Sequence, residues 1–479
     1  MAEQTIRRER HDRKSSMTAH LLRRDRLWIR HDNQLIAGSP VRFFRLSDAG
    51  RAAVVDLENG ATPTQEHDPL TERLITAGAL HPLVEGHLDA ALVTVVIPAY
   101  AAKAAHLRRL QALVDALGGL PVIVIDDASP IAVHVSHATV VRLDSNSGPA
   151  AARNHGLGLV ETPFVAFIDS DIHITRADVC VLAAQLTNHV AVQHRVAAKV
   201  VAPRVLASKR RSILARFERN TAPLDMGRHA TKVAHGARVS YVPSAVLVCE
   251  TATVRDLHGF DETLRCGEDV DLVWRLIAAD VVVRYEPSVT CTHETRRGLL
   301  PFLTQRFNYG SSTVDLATRH RGRLAPLRAR PTSVMSWVCL GAGWPAVALA
   351  CALLDLAFMT QQFKRQHITN RLMLAMFVKN FLNTGDRLAD AVVKVWWPII
   401  VVMATFSDSV SGLLALSIAV PGLIAYVRQP TLDPFSFLFL RTLEKFSYGA
   451  GVWVKGFSAR DMNALLPRFL PMSNSSVSG

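Results

Sequence analysis

Apolar positions in this chain follow two rhythms, and the change between them divides it. Between residues 92 and 294, short runs rich in Val and Ile alternate with stretches of helical spacing. The runs at 92–98, 120–125, 139–143 and 164–168 predict strands, and 106–117 and 150–159 predict helices between them. Strands apolar at nearly every position are those buried on both faces. Their alternation with helices predicts an α/β layout, a Rossmann-like, mostly parallel sheet covered by helices.

Upstream the pattern is finer. Residues 26–30 and 41–45 read as strands, linked through turn residues around Asp32-Asn33 and Gly38-Ser39-Pro40. Ser47 or Asp48 caps a helix through Leu57, and Asp68 with Pro69 opens a second one that stops at Gly78. So compact a set predicts a small winged-helix-like module over 21–92, behind a disordered basic tail at 1–20.

Downstream, apolar runs lengthen. No charge occurs from 331 to 354, and 395–427 is interrupted only by Asp408. These give candidate membrane spans at 333–355 and 395–427, inside a basic and apolar helical region over 307–430. A mixed segment, 431–479, follows. Arg319, Arg321, Arg323, Arg328 and Arg330 precede the first run and favour a cytoplasmic catalytic side at the cell membrane. The run 395–427 is too long for one ordinary span and short for two full ones, which leaves a tilted helix or a shallow hairpin open. The basic stretch 361–394 conflicts with a simple in-then-out path, so the span count stays open. A buried soluble helix remains the alternative around Gly341-Ala342-Gly343-Trp344-Pro345.

Composition sharpens this picture. A net charge of +13 with 49% apolar residues suits an anionic membrane surface better than nucleic acid. The second helix of the front module carries Arg73 as its one basic residue, so no nucleic-acid partner is expected. The six cysteines form no Cys-x-x-Cys pair, which argues against a disulfide framework or a zinc site.

Ligands of an open parallel sheet bind beyond the carboxyl ends of its strands. There, Pro98 ends ladder pairing and Tyr100 offers a flat ring to a base. Asp126-Asp127 can accept the imide N–H of uracil, or simply cap a turn. Asn146-Ser147-Gly148-Pro149 opens a helix of small residues whose backbone can approach a ligand, and Arg153 lies one turn in. The loop matches neither a Walker nor a dinucleotide-binding pattern, against NTP hydrolysis and dinucleotide binding. Asp169-Ser170-Asp171 places two carboxylates where a buried strand must end. Neighbouring like charges are costly without a cation, and Mg²⁺ or Mn²⁺ carrying phosphate oxygens is the natural partner. Glu268-Asp269 opens an amphipathic helix, where Asp269 can take a proton from an acceptor hydroxyl or the pair can serve as capping acids. His293 is a further candidate for metal or diphosphate, or a structural histidine.

Taken in order, Val96-Ile97-Pro98-Ala99-Tyr100, Asp126-Asp127-Ala128-Ser129, the Asn146–Gly156 stretch, Asp169-Ser170-Asp171, Gly259-Phe260-Asp261-Glu262 and Gly267-Glu268-Asp269 resemble the family 2 glycosyltransferases of the GT-A fold. The resemblance covers about 94–275, within a domain drawn at 93–306. It implies an inverting enzyme with a nucleotide-sugar donor and Mg²⁺ or Mn²⁺. It assigns Asp127 and Arg153 to uracil, Asp169 to the ribose, Asp171 to the metal and Asp269 to the base. Pro98, Tyr100, Asp126, Asn146 and Gly148 would complete the nucleotide site, Glu268 would accompany the base, and Asp169 and His293 would be additional metal candidates. The Gln-x-x-Arg-Trp element of processive synthases is absent; Thr304-Gln305-Arg306-Phe307-Asn308-Tyr309-Gly310 stands near its place.

The front module, through Arg45-Leu46-Ser47-Asp48-Ala49-Gly50 and Leu74-Ile75-Thr76-Ala77-Gly78, looks like the PqqD-like peptide-chaperone domain of ribosomal-peptide cofactor pathways. That fusion resembles the mycofactocin-pathway transferases, which implies β-linked glucose moved from UDP-glucose to a peptide-derived redox cofactor precursor. The rival acceptors are a polyprenyl-phosphate lipid and a cell-envelope glycan. Outside catalysis, a DNA-binding sensor and an inactive scaffold are the other readings.

Overall fold

The computed structural model describes residues 22–60, 68–83, 86–187, 196–208, 212–295, 298–363, 369–428, 430 and 432–470. It divides into two compact units, one within Met1–Ser208 and Thr221–Thr295, the other within Lys209–Asn220 and Arg296–Gly479. The disordered tail expected at 1–20 lies outside the described residues.

The first unit begins with β1 (Leu22–Arg24), β2 (Trp28–His31), β3 (Gln34–Ala37), β4 (Arg42–Arg45) and, after two helices, β5 (Leu80–Pro82). β2, β3 and β4 form an antiparallel sheet, and β1 pairs with β5. Both expected helices form. Ser47 caps Asp48–Glu58 by accepting from the Gly50 amide, and Asp68 caps Pro69–Thr76 through the amides of Leu70 and Thr71. Leu35, Val54, Leu74 and Ile75 are fully buried between them. This layer is seated on the larger sheet by Arg238, whose Nη2 lies 3.0 and 2.8 Å from the two oxygens of Asp25. The Arg238 amide also donates to Ser39 Oγ at 2.8 Å.

The larger sheet contains β6 (Val93–Ala99), β7 (Val122–Asp126), β8 (Thr139–Arg142), β9 (Phe164–Ile168), β10 (Ile172–His173), β11 (Val200–Ala207), β12 (Thr231–Val233), β13 (Val246–Glu250) and β14 (Val283–His293). Its order is β10-β14-β11-β13-β9-β6-β7-β8, with β12 also on β14. Val93, Val95, Ile97, Val124, Ala166 and Ile168 have no exposure, which is why these runs lack polar alternation.

The expectation of a mostly parallel sheet needs correction. β8, β7, β6 and β9 are parallel, but β13 enters antiparallel between β9 and β11, and β10 and β12 are antiparallel to β14. The sheet is mixed. A crossover helix imposes parallel pairing, as Ala104–Ala116 does between β6 and β7. β13 follows no such crossover from β9, so its direction was free.

In the second unit, Leu299–Arg319 and Pro434–Ala459 pack backbone to backbone. A Cβ on Gly310 would overlap the Tyr448 carbonyl, and one on Gly451 the Phe307 carbonyl. The two apolar runs are each divided. The first becomes helices Pro331–Gly341 and Pro345–Phe363, the second Trp397–Ala404 and Asp408–Arg428. Gly343, at φ +79°, and Pro345 explain the first break, because both end helices. Continuous helices over 333–355 and 395–427 therefore do not form.

Candidate active site

Parallel register brings the carboxyl ends of β6, β7 and β9 to one edge, and helix N-termini converge on it. Gly148, at φ +91°, turns the chain into helix Pro149–Gly158, and Gly267, at φ +84°, turns it into helix Glu268–Ala278. Residues with side chains rarely adopt such angles. Gly156 lets the first of these helices lie against β6, since a Cβ there would overlap Val96.

Arg153 is the hub of the edge. Its guanidinium is 3% exposed, with Nη2 2.6 Å from Asp169 Oδ1 and Nη1 2.8 Å from Glu268 Oε1. It also lies 5.2 Å from the centre of the Phe260 ring. Two carboxylates from distant parts of the chain are thereby tied to one cation. Burial pushes the Asp169 carboxyl up from its ordinary range, opposed mainly by Arg153. Asn154 fastens the other side, accepting from the Phe260 amide and donating to its carbonyl, both at 2.8 Å.

Asp269 is half-buried next to Glu268. Its carboxylate accepts from the amides of Val270 at 2.8 Å and Ser244 at 3.3 Å. Burial, reinforced by the Glu268 charge, raises its pKa to about 7. A carboxylate so placed is matched to proton transfer near neutral pH.

Asp171 and His293 form a second group. Ile172 stands opposite His293 in the β10–β14 ladder, which brings His293 Nε2 3.1 Å from Asp171 Oδ2. Their side chains are 20% and 40% exposed for His293 and Asp171, so this pair faces solvent more openly than the Arg153 cluster. Among the described residues, no group of three or more His, Cys, Asp or Glu converges as a metal cage. One carboxylate oxygen and one ring nitrogen still suit a divalent cation whose other positions are filled by phosphate and water. Asp169 faces Arg153 with its Oδ1 instead.

The remaining candidates separate. Tyr100 is 49% exposed at the end of β6, beside the part-buried Pro98. Asp127 is buried, and its oxygens accept from the amides of Ser147 at 2.7 Å and Gly148 at 2.9 Å. Asn146 is exposed and donates to the Asp127 carbonyl at 3.3 Å. Asp127 thus shapes the glycine loop from below. Asp126 departs from the nucleotide-site expectation. It is 1% exposed and accepts from the Ser129 amide at 2.9 Å and Arg142 Nη1 at 2.6 Å. Those bonds hold its pKa below the usual carboxylate range against the opposing effect of burial. Its oxygens are engaged within the fold by Ser129 and Arg142.

Phe260, Asn154 and Ser244 were not singled out from sequence. Only Phe260 and Asn154 had a signal, since both lie inside quoted motifs.

Residues 94–240 match the family model described as glycosyl transferase family 2. Two curated Mycobacterium tuberculosis proteins (strains CDC 1551 / Oshkosh and ATCC 25618 / H37Rv) are called pre-mycofactocin glycosyltransferase. Each is 32% identical over 455 residues, covering 91% of this chain and 94% of the relative. Among solved structures, the mannosyltransferase PcManGT from Pyrobaculum calidifontis, in complex with GDP-Man and Mn²⁺, is 14% identical with a TM-score of 0.42. It covers 80% of this chain and 92% of its own. S. aureus TarS 1–349 in complex with UDP-GlcNAc is 15% identical with a TM-score of 0.35, covering 77% of this chain and 92% of its own. The chain belongs to glycosyl transferase family 2, as a nucleotide-sugar glycosyltransferase related along nearly its whole length to the mycobacterial pre-mycofactocin glycosyltransferases.

Proposed function

We propose that this enzyme moves glucose from UDP-glucose, with inversion to a β-linkage, onto a peptide-derived redox cofactor precursor of the mycofactocin type. The observation that carries the catalytic part is Asp269, held at a pKa of about 7 beside the Arg153–Glu268–Asp169 cluster. The relatives' name and near-complete coverage support the acceptor class. The front module is read as a PqqD-like winged helix that presents the peptide. The second unit is read as a membrane-associated helical region on the cytoplasmic face.

In this reading Asp269 accepts the proton of the acceptor hydroxyl as that oxygen bonds to the anomeric carbon. The bond from that carbon to the diphosphate breaks on the opposite face, and the electron pair leaves with the nucleotide. Arg153 and Glu268 hold the helix that carries Asp269 against the end of β9. Tyr100, the Gly148 loop, Asp127 and Arg153 meet the base, with Asp169 on the ribose side. Asp171 and His293 are the residues that would hold Mg²⁺ or Mn²⁺, which when bound offsets charge on the leaving diphosphate.

The test is release of nucleoside diphosphate from a panel of UDP- and GDP-sugars, with the peptide-derived precursor and Mn²⁺ supplied. UDP release from UDP-glucose, a β-glucosylated product, and loss of both with EDTA are expected. Turnover indifferent to EDTA and to Asp269→Asn sinks the reading. A polyprenyl-phosphate acceptor is the second reading, favoured by the apolar helices Pro345–Phe363 and Asp408–Arg428. It predicts that sugar transferred from a radiolabelled donor partitions into organic solvent.

A further inference from the structure

The two divided apolar runs share a shape. Pro331–Gly341 is followed after residues 342–344 by Pro345–Phe363, and Trp397–Ala404 after residues 405–407 by Asp408–Arg428. Connections this short fold a helix back on its predecessor. In the first pair Ser336 Oγ donates to the Ala348 carbonyl at 2.7 Å, and Thr332 Oγ1 to Asp355 at 2.9 Å. Both pairs are helical hairpins, and they lie together: a Cβ on Gly341 would stand 2.8 Å from Leu413.

The tips are bare, the first apolar and the second carrying Phe406 between Thr405 and Ser407, with Asp408 next. Trp344 is 62% and Phe406 87% exposed, with Val347, Leu349, Val402 and Met403 exposed behind them. A contiguous patch of this kind requires cover. The short arms have 11 and 8 residues, hence lengths of about 16 and 12 Å. A bilayer core is about 30 Å thick, so each arm reaches through roughly one leaflet. One arm's length from the first tip the chemistry becomes ionic, where buried Asp355 meets Arg330 at 3.4 Å. Farther along Asp408–Arg428, protein takes over as the cover. Pro421 and Gly422 are buried, and Leu438 closes over Gly422.

Charge at the base identifies the occupant. Arg328 and Arg468 are direct partners in a short parallel ladder, and Arg387 Nη1 donates to the Arg328 carbonyl at 3.5 Å. All three are exposed, and among the described residues no carboxylate pairs with them. Three unneutralised guanidinium groups at the base of arms that end in exposed Trp344 and Phe406 match lipid phosphate above acyl chain. The only charge between 395 and 427 is Asp408, at the first turn of its helix, where the helix dipole favours a carboxylate.

We propose that the second unit sits on one leaflet of an anionic bilayer, inserting both hairpin tips side by side and setting Arg328, Arg387 and Arg468 against the lipid phosphates. It enters and leaves from the same face without crossing. This rests on the membrane reading above and replaces its spans with re-entrant hairpins.

The experiment uses the full chain with vesicles of phosphatidylcholine, alone or mixed with phosphatidylglycerol. Co-flotation with the anionic vesicles, weakened by salt, is expected. The variant carrying Arg328→Gln, Arg387→Gln and Arg468→Gln should bind about a hundredfold more weakly, at roughly tenfold or less per arginine. Its UDP release should be unchanged, which reports an intact fold. Fluorescent labels on Trp344→Cys and Phe406→Cys should be quenched by lipids brominated in the acyl chain and stay shielded from an aqueous quencher trapped in the lumen. Flotation with luminal quenching overturns the hairpins while the membrane reading survives. No flotation on any vesicle, with a stable dimer in solution, overturns both.

Discussion

Arg153 and Glu268 stand 115 residues apart in the chain, and their side chains meet at 2.8 Å in the interior. Asp169 completes the bridge from the end of β9. This triad joins the glycine-loop helix, the acidic strand end and the helix bearing Asp269, so its loss should be felt in both stability and rate. Arg153→Met leaves two carboxylates facing each other without a cation. Breaking a buried pair in this way costs about 3–5 kcal/mol. Urea unfolding should therefore show a large fall in midpoint, with Arg153→Lys intermediate because an ammonium cannot hold both partners in a planar fork. An unchanged midpoint for Arg153→Met would mean that the triad does not organise the edge.

The pH dependence should report Asp269. In the proposed role of general base its ionised form is the competent one, so kcat/KM should rise as pH increases through about 7. Stability runs the other way. The folded-state pKa is raised above the unfolded 3.8, so protonation favours the folded state, and that contribution is lost as pH climbs through about 7. Asp269→Asn should lower the rate by a hundredfold or more, on the order expected for a general base. It should also flatten the fall in Tm between about pH 4 and pH 7. A rate profile that is flat across neutrality would remove Asp269 from the role.

Much of this edge was readable in the sequence, because its signals are local. A run such as Phe164–Ile168, apolar at every position, has to be a buried strand, and the acids after it have to sit at its end. What could not be read depends on distant partners. Asp126 and Asp127 are adjacent and alike in sequence. One is consumed by Arg142 on the neighbouring strand, the other by the amides of Ser147 and Gly148. Strand direction was equally hidden, since nothing in Val246–Glu250 records how the chain returns to the sheet. The hairpins lie between these cases. Gly343 and Pro345 mark the first break, but a charge-free run reads the same whether it is straight or folded.

Metal dependence should separate the two acidic groups. Asp171→Asn and His293→Ala should raise the Mn²⁺ concentration needed for half-maximal UDP release by about 10–100-fold, with little change in Tm, because both residues are partly exposed. Asp169→Asn should instead lower Tm, since it removes a partner of Arg153. Equal metal requirements for all variants and wild type would exclude the Asp171–His293 pair as the ligand set.

Two glycines distinguish backbone angle from space. Gly148 has φ +91° and ψ 172°, a region almost exclusive to glycine, and open space around a Cβ, so Gly148→Ala suffers only the conformational penalty, about 1–3 kcal/mol. Gly156 has ordinary angles but no room, and Gly156→Ala must push Val96 in β6, costing about 1–3 kcal/mol. Both losses should appear in chemical denaturation. The Gly148 variant should in addition bind UDP more weakly, because the loop gripped by Asp127 is displaced. Unaltered UDP affinity would disconnect the loop from the nucleotide.

The joint between the front module and the transferase sheet makes the last prediction. Burial alone would raise the Asp25 carboxyl. His81, the Leu27 amide and Arg238 together overcome this and hold it at about 2. A pKa depressed below the unfolded value stabilises the fold above that value, and the contribution disappears as pH falls from about 4 through 2. Asp25→Asn should remove it at all pH values and leave Arg238 without its carboxylate partner. If the joint positions a peptide for transfer, this variant should raise KM for a peptide-derived acceptor while sparing hydrolysis of the donor by water. A matching loss in both reactions would show instead that Asp25 acts only through the stability of the sheet.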